Sequence, residues 1–308
     1  MEQVSHTYME VYREGVARLE AAEIMEASLD ARLLLEFVCG TDRNTLLVHG
    51  DRAVTAEEYE RYEALIKARA AHTPLQHLTG EQEFMGLTFR VNKNVLVPRQ
   101  DTEILVEEVL QNLHDGMRIL DLCTGSGCIL LSLLQYSNDC MGVGVDLSAQ
   151  ALAVAGENYE RMRKERPEME ALFLEGDLFD ALEQERIREC GETNGLNGRY
   201  DIIVSNPPYI ETDVIGTLMP EVREHEPVMA LDGGADGLTF YRRIVQGAGD
   251  HLKRGGMLFF EIGCEQAAGV REIMEQAGFR EIEVVKDFAG LDRVVYGTWL
   301  GQQGGSYV

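Results

Sequence analysis

Beyond Pro98 the chain alternates short apolar runs with amphipathic stretches, and this alternation limits the folds open to it more than any other feature. Runs at 117–121, 141–146, 172–177, 200–205, 257–262, 282–285 and 294–299 have strand length and strand composition. Helical periodicity fills 102–113, 128–136, 149–162 and 265–276 between them. Strands separated by helices predict an α/β protein with a mostly parallel sheet covered on both faces. Ligands of such a sheet bind outside the carboxyl ends of the strands. The Gly- and Asn-containing stretch at 190–198 predicts a surface loop.

The first seventy or so residues read differently. Tyr8, Val11, Tyr12, Val16 and Leu19 recur at helical spacing, and the apolar segment 31–38 is stopped by Gly40. Thr55 followed by Glu58 forms a capping box that opens a helix carrying Tyr59, Tyr62, Leu65 and Ile66. From Leu75 to Val97 the pattern becomes short alternating runs broken by Gly80 and Gly86, which predicts a β-hairpin. The expected organisation is a helical domain over 1–73, a linking hairpin over 74–97 and an α/β domain over 98–308.

The formal net charge is −25, from 53 acidic and 28 basic residues. Up to Arg90 there are 16 acidic against 9 basic residues, a net of −7, and the remainder carries −18, so the excess is spread along the chain. A protein that clamps nucleic acid by neutralising phosphates needs a basic stripe, and this balance argues against one. Solubilising surface charge is the plain reading, with attraction to a basic protein partner the other. Neither a membrane-spanning apolar run nor a secretory signal is visible, so a cytoplasmic location is expected. The six cysteines, at 39, 123, 128, 140, 190 and 264, form neither a CxxC pair nor a Cys/His cluster with zinc spacing, so reduced thiols and no metal are expected.

Three constellations carry chemistry. Asp121-Leu122-Cys123-Thr124-Gly125-Ser126-Gly127 follows an apolar strand and precedes a helix; its small residues let backbone approach a ligand, and the helix start presents free N–H groups. A tight strand-to-helix turn accounts for the same residues equally well, and the dinucleotide spacing G-x-G-x-x-G is missing, which disfavours a nicotinamide cofactor. Asp146, about twenty residues beyond the glycines at a strand end, is placed to accept from a ribose diol. Asp177 closes the next strand and can meet an adenine; a helix N-cap is the structural alternative for both aspartates. Most specific is Asn206-Pro207-Pro208-Tyr209 after the apolar strand 202–204. Two prolines remove donors and hold Asn206 out of helical conformation, so its side-chain oxygen and the Pro207 carbonyl can both accept from one NH₂ group. Tyr209 can lie across a planar substrate. The lone pair of an amide or aromatic amine nitrogen is delocalised, and two acceptors drawing on its hydrogens favour a pyramidal, more reactive nitrogen.

Together these motifs resemble a class I, Rossmann-like methyltransferase that uses S-adenosylmethionine to methylate a planar NH₂ nitrogen. Two groups share the Asn-Pro-Pro-Tyr type of motif: adenine-N6 methyltransferases of nucleic acid and glutamine-N5 methyltransferases of peptide chain release factors. The segments 74–80, 83–86 and 97–103, then Glu226-Pro227 with 230–238, Phe260-Glu261-Ile262-Gly263 and 286–293, are similar to the HemK/PrmC family of release factor glutamine methyltransferases. The likeness runs from about Pro74 to Trp299, and the helical part has the family's size and position. It implies that Asp121 and the loop Cys123, Thr124, Gly125, Ser126 and Gly127 hold the methionine part of S-adenosylmethionine. It places Asp146 at the ribose, Asp177 and Leu178 at the adenine, and Asn206 beside the cofactor as well as the substrate. Asn206, Pro207, Pro208 and Tyr209 would hold the substrate glutamine, with Asn206, Pro207 and Tyr209 catalytic. Cys123 stands where many members have Gly, and Gln100 and Asp101 where Pro and Glu are frequent; none of these removes a group the mechanism needs.

The implied reaction is direct in-line transfer that yields S-adenosylhomocysteine, without metal or covalent intermediate, by a monomer acting on a protein partner. The helical domain and the segment 211–236 are the expected grips on that partner. An adenine-N6 methyltransferase would need the basic surface this chain lacks, and a non-catalytic cofactor-binding scaffold would have no use for Asn206-Pro207-Pro208-Tyr209.

Overall fold

The computed structural model describes residues 6–183 and 199–301, so the loop expected at 190–198 lies outside the described residues. Two compact units result: one runs to Glu81 and takes in Met219–His225, and the other holds 82–218 and 226–308.

The first unit contains α1 (Tyr8–Ala21), α2 (Ala27–Cys39), α3 (Arg43–Val48), α4 (Ala56–Ala70) and α5 (Leu75–Thr79). Capping boxes open α1 at Thr7/Glu10 and α4 at the expected Thr55/Glu58, and Gly40, at φ +58°, closes α2. Tyr8, Val11, Leu34, Leu35, Tyr62 and Ile66 are buried in one apolar core. Where the alternating pattern from Leu75 predicted strand, one helical turn forms instead. Pro74 at its N-cap fixes the entry dihedral and Gly80, at φ +76°, supplies the left-handed exit. Helix α9 (Pro220–His225) belongs to this unit despite its late position in the chain. Buried Arg69 accounts for that: its Nε donates to Asp30 Oδ2 at 2.6 Å, and its Nη2 donates to Glu221 Oε1 on α9 at 2.5 Å.

In the second unit the expected hairpin is confined to β1 (Glu81–Phe84) and β2 (Leu87–Arg90). Its two-residue turn places Met85 at φ +53° and Gly86 at φ +70°, the paired positive values of a tight hairpin turn. Then follow α6 (Gln100–Asn112), β3 (Arg118–Leu122), α7 (Cys128–Gln135), β4 (Met141–Asp146), α8 (Ala149–Arg163), β5 (Glu170–Glu175) and β6 (Tyr200–Ser205). After β6 come α10 (Thr239–His251), β7 (Leu252–Glu261), α11 (Ala267–Ala277), β8 (Phe279–Lys286) and β9 (Asp292–Trp299).

The seven strands form one sheet in the order β5-β4-β3-β6-β7-β9-β8, with β9 antiparallel to both of its neighbours and all other pairs parallel. Side chains alternate between two apolar layers: Leu120, Ile203 and Leu258 face the layer of α10 and α11, while Ile119, Ile202 and Phe259 face that of α6 and α7. This is a Rossmann-like doubly wound fold. From β3 the chain goes outward to β4 and β5, then returns to lay β6 on the other side of β3, so the crevice at the carboxyl ends of β3 and β6 is the topological switch point.

Candidate active site

Both chemically informative loops leave the sheet at that switch point. After β3 the backbone makes three left-handed residues, Cys123 (φ +62°), Gly125 (φ +57°) and Gly127 (φ +77°), before α7 begins. A Cβ on Gly125 would meet nothing within 4 Å, so the loop is open on that side, whereas at Gly127 it would come within 3.2 Å of Ala155 and Leu131. Gly125 therefore leaves room for a ligand, and Gly127 lets α7 and α8 pack closely. A side chain at φ +62° makes Cys123 the strained member of the three.

Polar side chains hold the loop. Thr124 Oγ1 donates to Asp121 Oδ2 at 2.6 Å, the Gly125 N–H donates to Asp146 Oδ2 at 2.9 Å, and the Ser148 N–H donates to Asp146 Oδ1 at 2.9 Å. From α8, buried Asn158 donates to Ser126 O at 2.9 Å and also pairs with the backbone of Arg90, at 2.7 Å to its N–H and 3.1 Å to its carbonyl. Asn158 thus ties the hairpin to the loop, a role that nothing in its sequence neighbourhood signals. Burial raises Asp146 above the ordinary carboxylate range. Burial, helped by the charges of Asp146 and Asp121, pushes the Cys123 thiol far up, so it stays protonated and is a poor nucleophile.

The second loop follows β6. Ser205 Oγ donates to Leu122 O at 2.7 Å and pins the end of β6 to the end of β3. Asn206 Nδ2 donates to Thr102 Oγ1 at 3.4 Å, which leaves Oδ1 as the acceptor. The Tyr209 phenol donates to Glu261 Oε1 at 3.4 Å, and the Tyr209 carbonyl accepts from Gln266 Nε2 at 2.9 Å. Residues 231–237 run beside this loop through the bonds Ile210 N to Leu231 O (2.9 Å), Gly233 N to Ile210 O (2.8 Å) and Thr212 N to Gly234 O (3.0 Å). A Cβ on Gly233 would come within 2.7 Å of Tyr209 Cα, so only glycine permits this approach.

Between the loops lies a cavity of about 330 Å³, within the range typical of small-molecule sites. Cys123, Thr124, Gly125, Ser126, Asp146, Asp177, Leu178, Asn206 and Pro208 line it. Asp121, Gly127, Pro207 and Tyr209 are not among its lining residues. The Asp177 carboxylate pairs with Arg243 of α10 at 2.9 Å. Residues without an expected site role also line the cavity, chief among them Arg99, Thr102, Leu147 and Phe240. Arg99 and Thr102 belong to the segment 97–103, whose motif was visible before its purpose was. An adenosine with a charged tail fits this lining: an open glycine face, an aspartate with lone pairs beyond the two N–H groups it already holds, and apolar side chains for a base.

The description "PrmC N-terminal domain" matches residues 10–80, and "Methyltransferase small domain" matches residues 99–221. The chain is 40% identical over 295 residues to the release factor glutamine methyltransferase of Caulobacter vibrioides, covering 95% of this chain and 96% of that protein. It is 39% identical over 284 residues to the one from Agrobacterium fabrum, covering 90% and 92%. To that of Clostridium acetobutylicum it is 41% identical over 269 residues, covering 86% and 89%. With identity at this level along nearly its whole length, the chain belongs to the release factor glutamine methyltransferase family.

Proposed function

We propose that this chain transfers the methyl group of S-adenosylmethionine to the N5 side-chain nitrogen of the glutamine in the Gly-Gly-Gln motif of peptide chain release factors, and so supports translation termination. The observation that carries the reading is the placement of Asn206-Pro207-Pro208-Tyr209 at the carboxyl end of β6, across one cavity from the loop after β3.

When bound, the cofactor supplies a methyl group already activated by its sulfonium charge. The chain's part is to align the amide nitrogen behind that carbon and keep water out. Thr102 orients Asn206 so that Oδ1 and the Pro207 carbonyl accept from the two amide hydrogens. Tyr209, fixed by Glu261 and Gln266, packs against the amide plane. Asp146 holds the ribose hydroxyls, residues 123–127 the methionine part, and Asp177 with Leu178 the adenine. The reading includes a cytoplasmic monomer that needs no metal and acts on protein rather than nucleic acid, for which the charge of −25 is the support. Among the described residues, no helix is long and apolar enough to cross a membrane.

Asn206→Ala tests the amide clamp. Steady-state kinetics with a purified release factor should show kcat lowered by about 100-fold or more, while calorimetry finds the cofactor Kd changed only a few-fold. Unchanged methyl transfer would show that the clamp is wrong.

A further inference from the structure

S-adenosylmethionine carries two cationic groups, a sulfonium and an ammonium, and one anion, the carboxylate of its methionine end. The cavity is built the other way round: Asp146, Asp177 and Asp232 contribute carboxylates, and the one cation among the described lining residues is Arg99. Glutamine's neutral amide makes no use of such a cation. We infer that Arg99 binds the methionine carboxylate, with Glu226 as the residue that positions it, an inference that rests on the cofactor reading above.

Two observations fix where Arg99 acts. Its carbonyl accepts from Thr102 N at 3.1 Å, and Thr102 Oγ1 accepts from Asn206. Arg99 is therefore one helical turn from the residue that orients the proposed amide clamp. The carboxylate and the transferred methyl belong to the same half of the cofactor, so that half must lie where Arg99 stands. Arg99 is also the N-cap of the thirteen-residue helix α6, so the positive end of that helix adds to the guanidinium charge.

The second observation is the pairing. Arg99 Nη2 donates to Glu226 Oε1; the Glu226 side chain is 1% exposed, whereas that of Arg99 is 46% exposed. One nitrogen of the guanidinium is thus held by a buried carboxylate, while the side chain as a whole is nearly half exposed and keeps further donors in a planar fork suited to a second carboxylate. Sequestering Glu226 so completely sets the direction of a side chain that otherwise has several rotamers to choose from.

Calorimetric Kd values for S-adenosylmethionine and for decarboxylated S-adenosylmethionine, which differ by the carboxylate alone, test this. The unaltered protein should prefer the carboxylated ligand by about 10- to 100-fold, the usual size of a charge-assisted contact. Arg99→Met should lose most of that preference by weakening the carboxylated ligand only. The double variant Arg99→Met/Glu226→Gln leaves no buried charge uncompensated and should behave the same, which covers the case in which the single variant folds poorly. A preference that persists in the double variant would overturn the inference, as would equal weakening of both ligands. If the unaltered protein bound neither ligand, the cofactor reading itself would fail.

Discussion

Asp121 on β3 and Glu261 at the end of β7 are carboxyls with no route to solvent, and burial pushes each up to about 7, against the hydrogen bonds that Thr124 gives Asp121 and Tyr209 gives Glu261. Between the ordinary carboxylate range and pH 7 the folded chain keeps protons that the unfolded chain has released, so stability must fall as pH rises through that window. Asp30 and Asp146 are shifted in the same direction by burial. Thermal unfolding should give a lower Tm at pH 8 than at pH 5.5, and Glu261→Gln should flatten part of that slope, by on the order of 3 kcal/mol at most. A Tm that rises over the interval would contradict these assignments. At this scale the sequence was informative where chemistry is local: Asn206, Asp146 and the glycines after β3 announce themselves by type and spacing. Arg99, Asn158 and Glu261 do not, because each acts through a partner distant in sequence: Arg99 through Glu226, Asn158 through Ser126 and Arg90, and Glu261 through Tyr209.

At the scale of elements, strands β4 and β6 lie where the apolar runs predicted, and β3, β5, β7, β8 and β9 differ at their ends. Helix α10 is the longest element that the pattern did not reveal. Its buried face, Tyr241, Ile244, Val245 and Ala248, has helical spacing, but Gly247 and Gly249 disguise it. Both glycines are packing devices: a Cβ on Gly247 would lie 2.5 Å from Phe179, and one on Gly249 would lie 2.7 Å from Trp299. The composition signal of a loop is here the signature of a helix pressed against aromatic rings. Asn158 shows how an element sets the site, because its side chain gives α8 a hydrogen bond to the backbone of the loop after β3. Asn158→Ala should cost about 2 to 4 kcal/mol in urea unfolding and weaken cofactor binding by loosening the loop at Ser126. A loss under about 1 kcal/mol with unchanged cofactor affinity would separate α8 from the site.

For the whole molecule, charge is the feature whose meaning the site sharpens. A net of −25 on an enzyme whose chemistry is shared with adenine methylation favours a protein substrate, and an acidic surface should draw in a release factor through basic regions. The Michaelis constant for that protein should then rise as salt is raised from about 0.05 to 0.3 M, where screening shortens the range of surface charges; a constant indifferent to salt would return the charge to a solvated surface. That α9, from the segment between Tyr209 and Gly233, packs with the helical unit through Arg69 was not legible, since a long-range ion pair leaves no periodicity to read. The most direct test of the account is tandem mass spectrometry of a purified release factor before and after incubation with this protein and S-adenosylmethionine. One methyl group on the side-chain nitrogen of the Gly-Gly-Gln glutamine is the predicted result; an unmodified glutamine, or methyl appearing on added DNA or RNA instead, would contradict it.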